Sequence, residues 1–212
     1  SYDAFLLTKG LTPRDGQKQM MSFCFGLVNN ISVDKEGKKA DNVKQPALGV
    51  VEAGTGTGKT LGYSLPLIPL AKERGKTLIL STATVALQEQ IINKDLPDIR
   101  ASAGIDFTFT MAKGRGRYFC KLRCGRHMDH EENAYGYVKE DVANLNREFD
   151  LGLWDGDRDA YPDEISDSTW QNINAIGGQC PNNKCPHFTK CPFFQARSRL
   201  ESSDVIVANH DI

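Results

Sequence analysis

The nine residues EAGTGTGKT, positions 52–60, constrain this 212-residue chain more than any other stretch. They follow the short apolar run ALGVV and lead into GKTLGYSLPLIPLAKERG, which begins like a helix. Glycines at 54, 56 and 58 let successive backbone N–H groups turn inward around an anion, and the helix N-terminus adds partial positive charge. The pattern predicts a P-loop between a buried strand (residues 47–54) and a helix. Gly54, Thr55, Gly56, Thr57 and Gly58 are then expected to cradle the phosphates of ATP, Lys59 to reach the β/γ-phosphates, and Thr60 to hold Mg2+. The usual first glycine of that pattern is replaced here by Ala53. Pro66 and Pro69 predict a kink or an early stop in the helix.

Further along, KTLILST reads as a second strand, VALQEQIINKDL carries apolar residues at helical spacing, and IDFTFTMA alternates like a third strand. This βαβαβ order implies an α/β fold with a parallel, doubly wound sheet. Residues up to about Asn30 look helical, and the polar stretch 33–45 reads as a surface loop. Residues 128–149 read as a helix with an acidic face, 154–170 as a turn-rich connection, and 195–210 as a helix followed by a strand. No apolar run approaches the ~20 residues that span a bilayer, so no membrane partner is expected. The start lacks an initiator Met and a signal pattern; it is taken as trimmed or internal, and the protein as cytoplasmic.

Net charge is only −1, yet the charges are segregated. Residues 113–126 hold six Lys/Arg and no acid, 127–170 hold thirteen Asp/Glu against three Lys/Arg, and 171–200 again hold four bases and no acid. Three cysteines lie in the last block, Cys180, Cys185 and Cys191, each followed by proline, with four and five residues between them. That spacing differs from the Cys-x-x-Cys knuckle of most structural zinc sites, and Cys-Pro recurs in iron–sulfur ligation. Proline also stiffens a loop that must aim several sulfurs at one point. The bland alternative is a set of small buried residues. A fourth ligand would come from Cys24, Cys120 or Cys124, with His127, His130 and His187 as weaker donors. Cys24 sits in the apolar MMSFCFGLV and reads as a core thiol. Asp155, Asp157 and Asp159 lack the following glutamate of a calcium loop and read as local loop acceptors.

TPRDGQ, EAGTGTGKT, STATVALQEQ, GRGRYFC, WDGDRD and VIVANH occur in that order between Thr12 and His210. Together they resemble the N-terminal part of DinG-type helicases, the bacterial branch of the XPD-like group. The resemblance implies an ATP-dependent 5′–3′ DNA helicase of repair or replication, built on RecA-like motor domains, the first carrying an inserted small helical iron–sulfur domain. On that basis residues 1–112 are expected to form the first part of motor domain 1, 113–197 the insertion, and 198–212 the return, ending before a DEAH-like box. A chain ending there is expected to bind a cluster and turn over little ATP. Gln17 would read adenine, with Arg14 beside it at the ATP site; a polar helix start is the alternative. Thr82, Thr84 and Gln88 would touch single-stranded DNA, with Thr84 as a plain helix cap the alternative. The resemblance places the first ligand of a 4Fe-4S cluster at Cys120; Cys124, one helical turn on, competes. Lys113, Arg115, Arg117 and Tyr118, with Lys121, Lys184 and Lys190, would make a positive surface for single-stranded or forked DNA, and a monomer is expected. Two rivals stand beside this reading: a metal-stapled nucleic-acid module without ATPase activity, and a redox sensor.

Overall fold

A computed structural model describes residues 1–31, 48–129 and 136–210. The expected surface loop at 33–45 and the segment 130–135 of the expected acidic helix lie outside the described residues. The chain divides into two compact units, Ser1–Met111 with Ser202–His210, and Ala112–Glu201.

The first unit is α/β. Its strands β1 (Leu78–Thr82), β2 (Phe109–Met111) and β3 (Val205–Asn209) form a parallel sheet in the order β1-β3-β2. Val205 and Val207 of the central strand are fully buried among Leu80, Phe107, Ile91 and Ile99. Helix α1 (Tyr2–Lys9) opens with Ser1 accepting from the Ala4 N–H and closes at Gly10, whose φ of 62° suits a residue without Cβ. Helix α2 (Asp15–Asn29) packs on α3 (Lys59–Glu73), where a Cβ on Gly62 would press on the Met20 sulfur. Helix α3 runs unbroken through Pro66 and Pro69, so the expected early stop does not occur. Its buried Leu65, Ile68 and Leu70 anchor it against the core, and tertiary packing outweighs two lost N–H donors. Helix α4 (Val85–Gln90) continues through a π-helical turn, Ile91–Asp95, into α5 (Leu96–Ser102).

The strand expected at residues 47–54 is not formed among the described residues 48–54. Leu48 and Val50 are 83% and 84% exposed, and no described strand pairs with them. A strand is made by its ladder partner, and an apolar run alone does not provide one.

The second unit is helical and loop-rich: α6 (Lys121–Asp129), α7 (Gly136–Asp150), α8 (Asp167–Ile173) and α9 (Pro192–Glu201). Phe119, Val142, Leu145, Trp154, Trp170 and Ile173 form its main core. The Trp154 and Trp170 indoles donate to the carbonyls of Asp157 and Gly116, both at 2.7 Å. A smaller core joins Tyr118, Phe193 and Ala196. Gly156, at φ 85°, passes so close to Pro192 that a Cβ would overlap its ring. The WDGDRD stretch thus lies directly against the proline after Cys191.

Two of these contacts lend themselves to stability measurements. Gly156→Ala adds both left-handed strain and an overlap, and should cost about 1–3 kcal/mol in denaturant unfolding. Asp204 accepts from the Thr108 N–H (2.8 Å) and hydroxyl (3.2 Å), with Lys72 beside it, and these hold its carboxyl below the usual carboxylate range. A depressed folded pKa stabilises the fold above the unfolded value, and the benefit is lost as pH falls through the folded one. Asp204→Asn should therefore be less stable than wild type at neutral pH, the gap closing on acidification; a gap independent of pH would contradict this.

Candidate nucleotide site and cysteine centre

Gly56 and Gly58 both adopt φ of 75°, and Gly58 caps the start of α3. The loop is braced from the α2 side. Buried Gln17 donates from Nε2 to the carbonyls of Thr57 (3.2 Å) and Gly58 (3.0 Å), and a Cβ on Gly58 would overlap that amide. Its Oε1 accepts from the Tyr2 hydroxyl (2.7 Å), which in turn accepts from the Arg14 N–H (3.3 Å). The Arg14 guanidinium donates to the Gly56 carbonyl, and Lys59 Nζ to the carbonyls of Ala53 (3.1 Å) and Gly54 (3.0 Å). The Thr57 hydroxyl closes the loop onto Gly54 (2.9 Å). A cavity of about 610 Å³ opens here, lined by Arg14, Gln17, Thr55, Gly56, Gly58, Lys59 and Thr60 together with the apolar Phe5, Leu11, Leu87 and Ile99. That volume and mixed lining suit a small-molecule ligand.

Gln17 was expected to offer a base one donor and one acceptor. Here Nε2 donates to two loop carbonyls, and Oε1 receives Tyr2. Tyr2 was missed in the sequence, where a single tyrosine in a short helix carries no signal. Thr82 and Gln88 are buried. The Thr82 hydroxyl donates to the Thr84 carbonyl (3.0 Å), and Gln88 Nε2 to that of Val207 (3.0 Å). Thr84 is exposed, and its hydroxyl caps α4 by accepting from the Leu87 N–H.

In the second unit, Cys120, Cys180, Cys185 and Cys191 line one small cavity. The last three share a local geometry. Each closes a single turn of 3-10 helix, Gly177–Gln179, Asn182–Lys184 or Phe188–Lys190, with ψ of 122°, 130° and 119°. A following proline disfavours helical ψ at the residue before it, so Cys-Pro ends each turn in an extended conformation. Asn182, at φ 53°, points its N–H at the Cys180 sulfur (3.4 Å). Burial pushes the Cys191 thiol up, against the N–H groups of Phe194 and Phe193, which favour the thiolate. Cys120 is fixed by its N–H to the Ile173 carbonyl (2.6 Å), and its own carbonyl accepts from the Cys124 N–H (2.9 Å).

Cys124 is not part of that cavity's lining. It is fully buried in the main core, its sulfur 3.6 Å from Asn146 Oδ1 and 4.0 Å from Met128 Sδ, and burial pushes its thiol up to about 12. Cys24 is half-buried on α2, in the first unit. His187 is half-buried; His127 Nε2 is buried with no hydrogen-bond partner among the described residues, and His130 lies outside them. No three His, Cys, Asp or Glu among the described residues are grouped to hold one metal ion.

The expected positive surface is largely neutralised from within. Lys113 pairs with Asp157 and Asp159, Arg117 with Asp159, and Lys121 with Asp150. Arg115 stacks on Phe193, and Tyr118 is buried edge-on to the same ring, its hydroxyl pushed up to about 12 first by burial and then by Asp157. Opposite charges in adjacent sequence blocks find one another on folding, so a run of cations need not remain a cationic face. Asp155 and Asp157 also accept from the N–H groups of Asp157 and Asp159, both at 3.0 Å, as local loop acceptors. Among the described residues, no helix is long and apolar enough to cross a membrane.

No protein-family model matches the chain. It is, however, similar to proteins named ATP-dependent DNA helicase DinG. Identity is 44% over 170 residues with that of Photobacterium profundum. It is 38% over 174 residues with that of Salmonella typhimurium and 37% over 174 residues with that of Escherichia coli. Each match covers 76% of this chain but 24% of the relative, so the chain spans about a quarter of the length of these curated relatives. The chain is thus DinG-like, homologous to these helicases over that quarter of their length.

Proposed function

We propose that this chain is the nucleotide-binding and iron–sulfur part of an ATP-dependent DNA helicase that moves 5′ to 3′ on single-stranded or forked DNA, in repair or replication. The observation that carries the proposal is the braced glycine loop, with Lys59 and Thr60, at the edge of a nucleotide-sized cavity. In this reading the N–H groups of residues 54–60 face the phosphates, Lys59 exchanges its loop carbonyls for phosphate oxygens, and Thr60 holds Mg2+. Magnesium, when bound, supplies charge neutralisation on the phosphates. Arg14 and Gln17 keep the loop in shape, and Gln17 reaches a base only by giving up a loop carbonyl.

Cys120, Cys180, Cys185 and Cys191 would hold a 4Fe-4S cluster, which when bound supplies a covalent staple between two arms far apart in sequence. The residues fit such a group on two counts. Four cysteines line one cavity, and backbone N–H groups point at the Cys180 sulfur and favour the thiolate at Cys191. For DNA, the proposal leans on the exposed Lys184 and Lys190, since Lys113, Arg117 and Tyr118 are occupied within the unit.

Three measurements test this. Lys59→Ala should weaken binding of a fluorescent ATP analogue by at least about tenfold while leaving metal content unchanged, and equal affinity would remove the nucleotide assignment. Anaerobically purified protein should carry about four irons with matching sulfide, lost in Cys120→Ser and retained in Cys124→Ser; one zinc without sulfide would overturn the cluster reading. The full-length protein should separate DNA strands with ATP, and failure on every fork tried would sink the helicase reading.

A further inference from the structure

Arg115 differs from Lys113, Arg117, Lys121 and Arg123 of the same arm. Lys113, Arg117 and Lys121 each have a carboxylate, and Arg123 donates to the Asn174 and Gln171 carbonyls. Arg115 has neither among the described residues. Its guanidinium carbon lies 4.0 Å from the centroid of Phe193 and 5.7 Å from that of Phe194. Its Nη1 is buried and has no hydrogen-bond partner among the described residues. The same side chain lines the cavity that holds Cys120, Cys180, Cys185 and Cys191.

A buried guanidinium N–H without an acceptor is costly, and folded proteins leave few such groups unmet. The aromatic face offsets part of the charge but accepts no in-plane hydrogen bond. What the cavity lining does include is four cysteines, whose sulfurs become anionic acceptors when they ligate metal. We propose that Arg115 is a positioning and counter-charge residue of this centre: Phe193 holds the guanidinium plane, and Nη1 donates to the ligating sulfurs. This rests on the cluster reading above, and it turns Arg115 from an outward DNA contact into an inward one. Two effects follow from a fixed cation beside ligated sulfur. The N–H bond to ligated sulfur slows metal loss, and the charge favours the reduced, more negative state of the cluster over the oxidised one.

The test uses the full-length protein with its cluster, as wild type, Arg115→Met and Arg115→Lys. Iron release to a ferrous chelator and the reduction equilibrium in a dithionite titration followed by visible absorbance are the readouts. Arg115→Met, which keeps the bulk against Phe193, should release iron about tenfold faster. Its reduction equilibrium should shift about tenfold toward the oxidised form, ~59 mV for one electron. Arg115→Lys restores the charge without the fork, so its potential should return most of the way while iron release stays fast. Should Arg115→Met fail to fold, Arg115→Lys decides alone, and wild-type release from a folded lysine variant overturns the hydrogen bond. Unchanged release and potential in Arg115→Met, with four irons in wild type, overturn the role of Arg115 and leave the cluster standing. A wild type without iron and sulfide overturns both.

Discussion

Strand β3 is the constraint on which the first unit depends. Its residues Val205–Asn209 pair in parallel with β1 on one side and with β2 on the other, and β1 and β2 do not pair with each other. Neither outer strand therefore has a ladder until the chain has passed through the whole second unit and returned. The contacts that close the sheet are correspondingly long in sequence, Leu78 with Val205 and Phe109 with Val205. Parallel pairings of this kind are entropically expensive to reach. Asp204 helps fix the register at the point of return. Its carboxylate takes the Thr108 N–H at the mouth of β2, and its backbone N–H donates to the Thr108 hydroxyl (3.0 Å).

The glycine loop shows a division of labour that follows from backbone chemistry. Each residue carries one donor and one acceptor. The carbonyls of Ala53, Gly54, Gly56, Thr57 and Gly58 are all taken by side chains, from Lys59, Thr57, Arg14 and Gln17. Holding the acceptor side by side chains stiffens the turn while leaving anion recognition to the donor side, which preorganisation favours. The cost falls on Gln17, whose amide cannot serve the loop and a base in full at once.

How much of this was legible in the sequence depended on how local the cause is. The glycine loop and the helix after it could be read because three glycines, a lysine and a threonine fix their own geometry. The Cys-Pro turns could be read as a stiff, sulfur-bearing arm for the same reason, although the threefold repeat of a 3-10 turn ending in extended ψ could not. Residues 48–53 failed because ladder partners are not encoded in an apolar run. The ion pairs of Lys113 and Arg117 with Asp157 and Asp159 were present as charge blocks, but sequence alone does not say that neighbouring blocks neutralise each other. Tyr2 was invisible, since its role exists only once Gln17 and Arg14 are beside it.

Cys120 and Cys124 show why one helical turn was not enough to tell two thiols apart by sequence. Both stand near the start of α6, joined by a backbone hydrogen bond, and a turn of helix normally places two side chains on one face. The difference lies in what precedes them. Phe119 forms an isolated bridge with Asn174, and the Cys120 N–H bonds the Ile173 carbonyl, so Cys120 still stands before the helix and is aimed by that bridge. Cys124 is already within the helix and follows its apolar stripe into the core beside Asn146 and Met128. The helix boundary between them assigns one sulfur to the cavity and the other to packing.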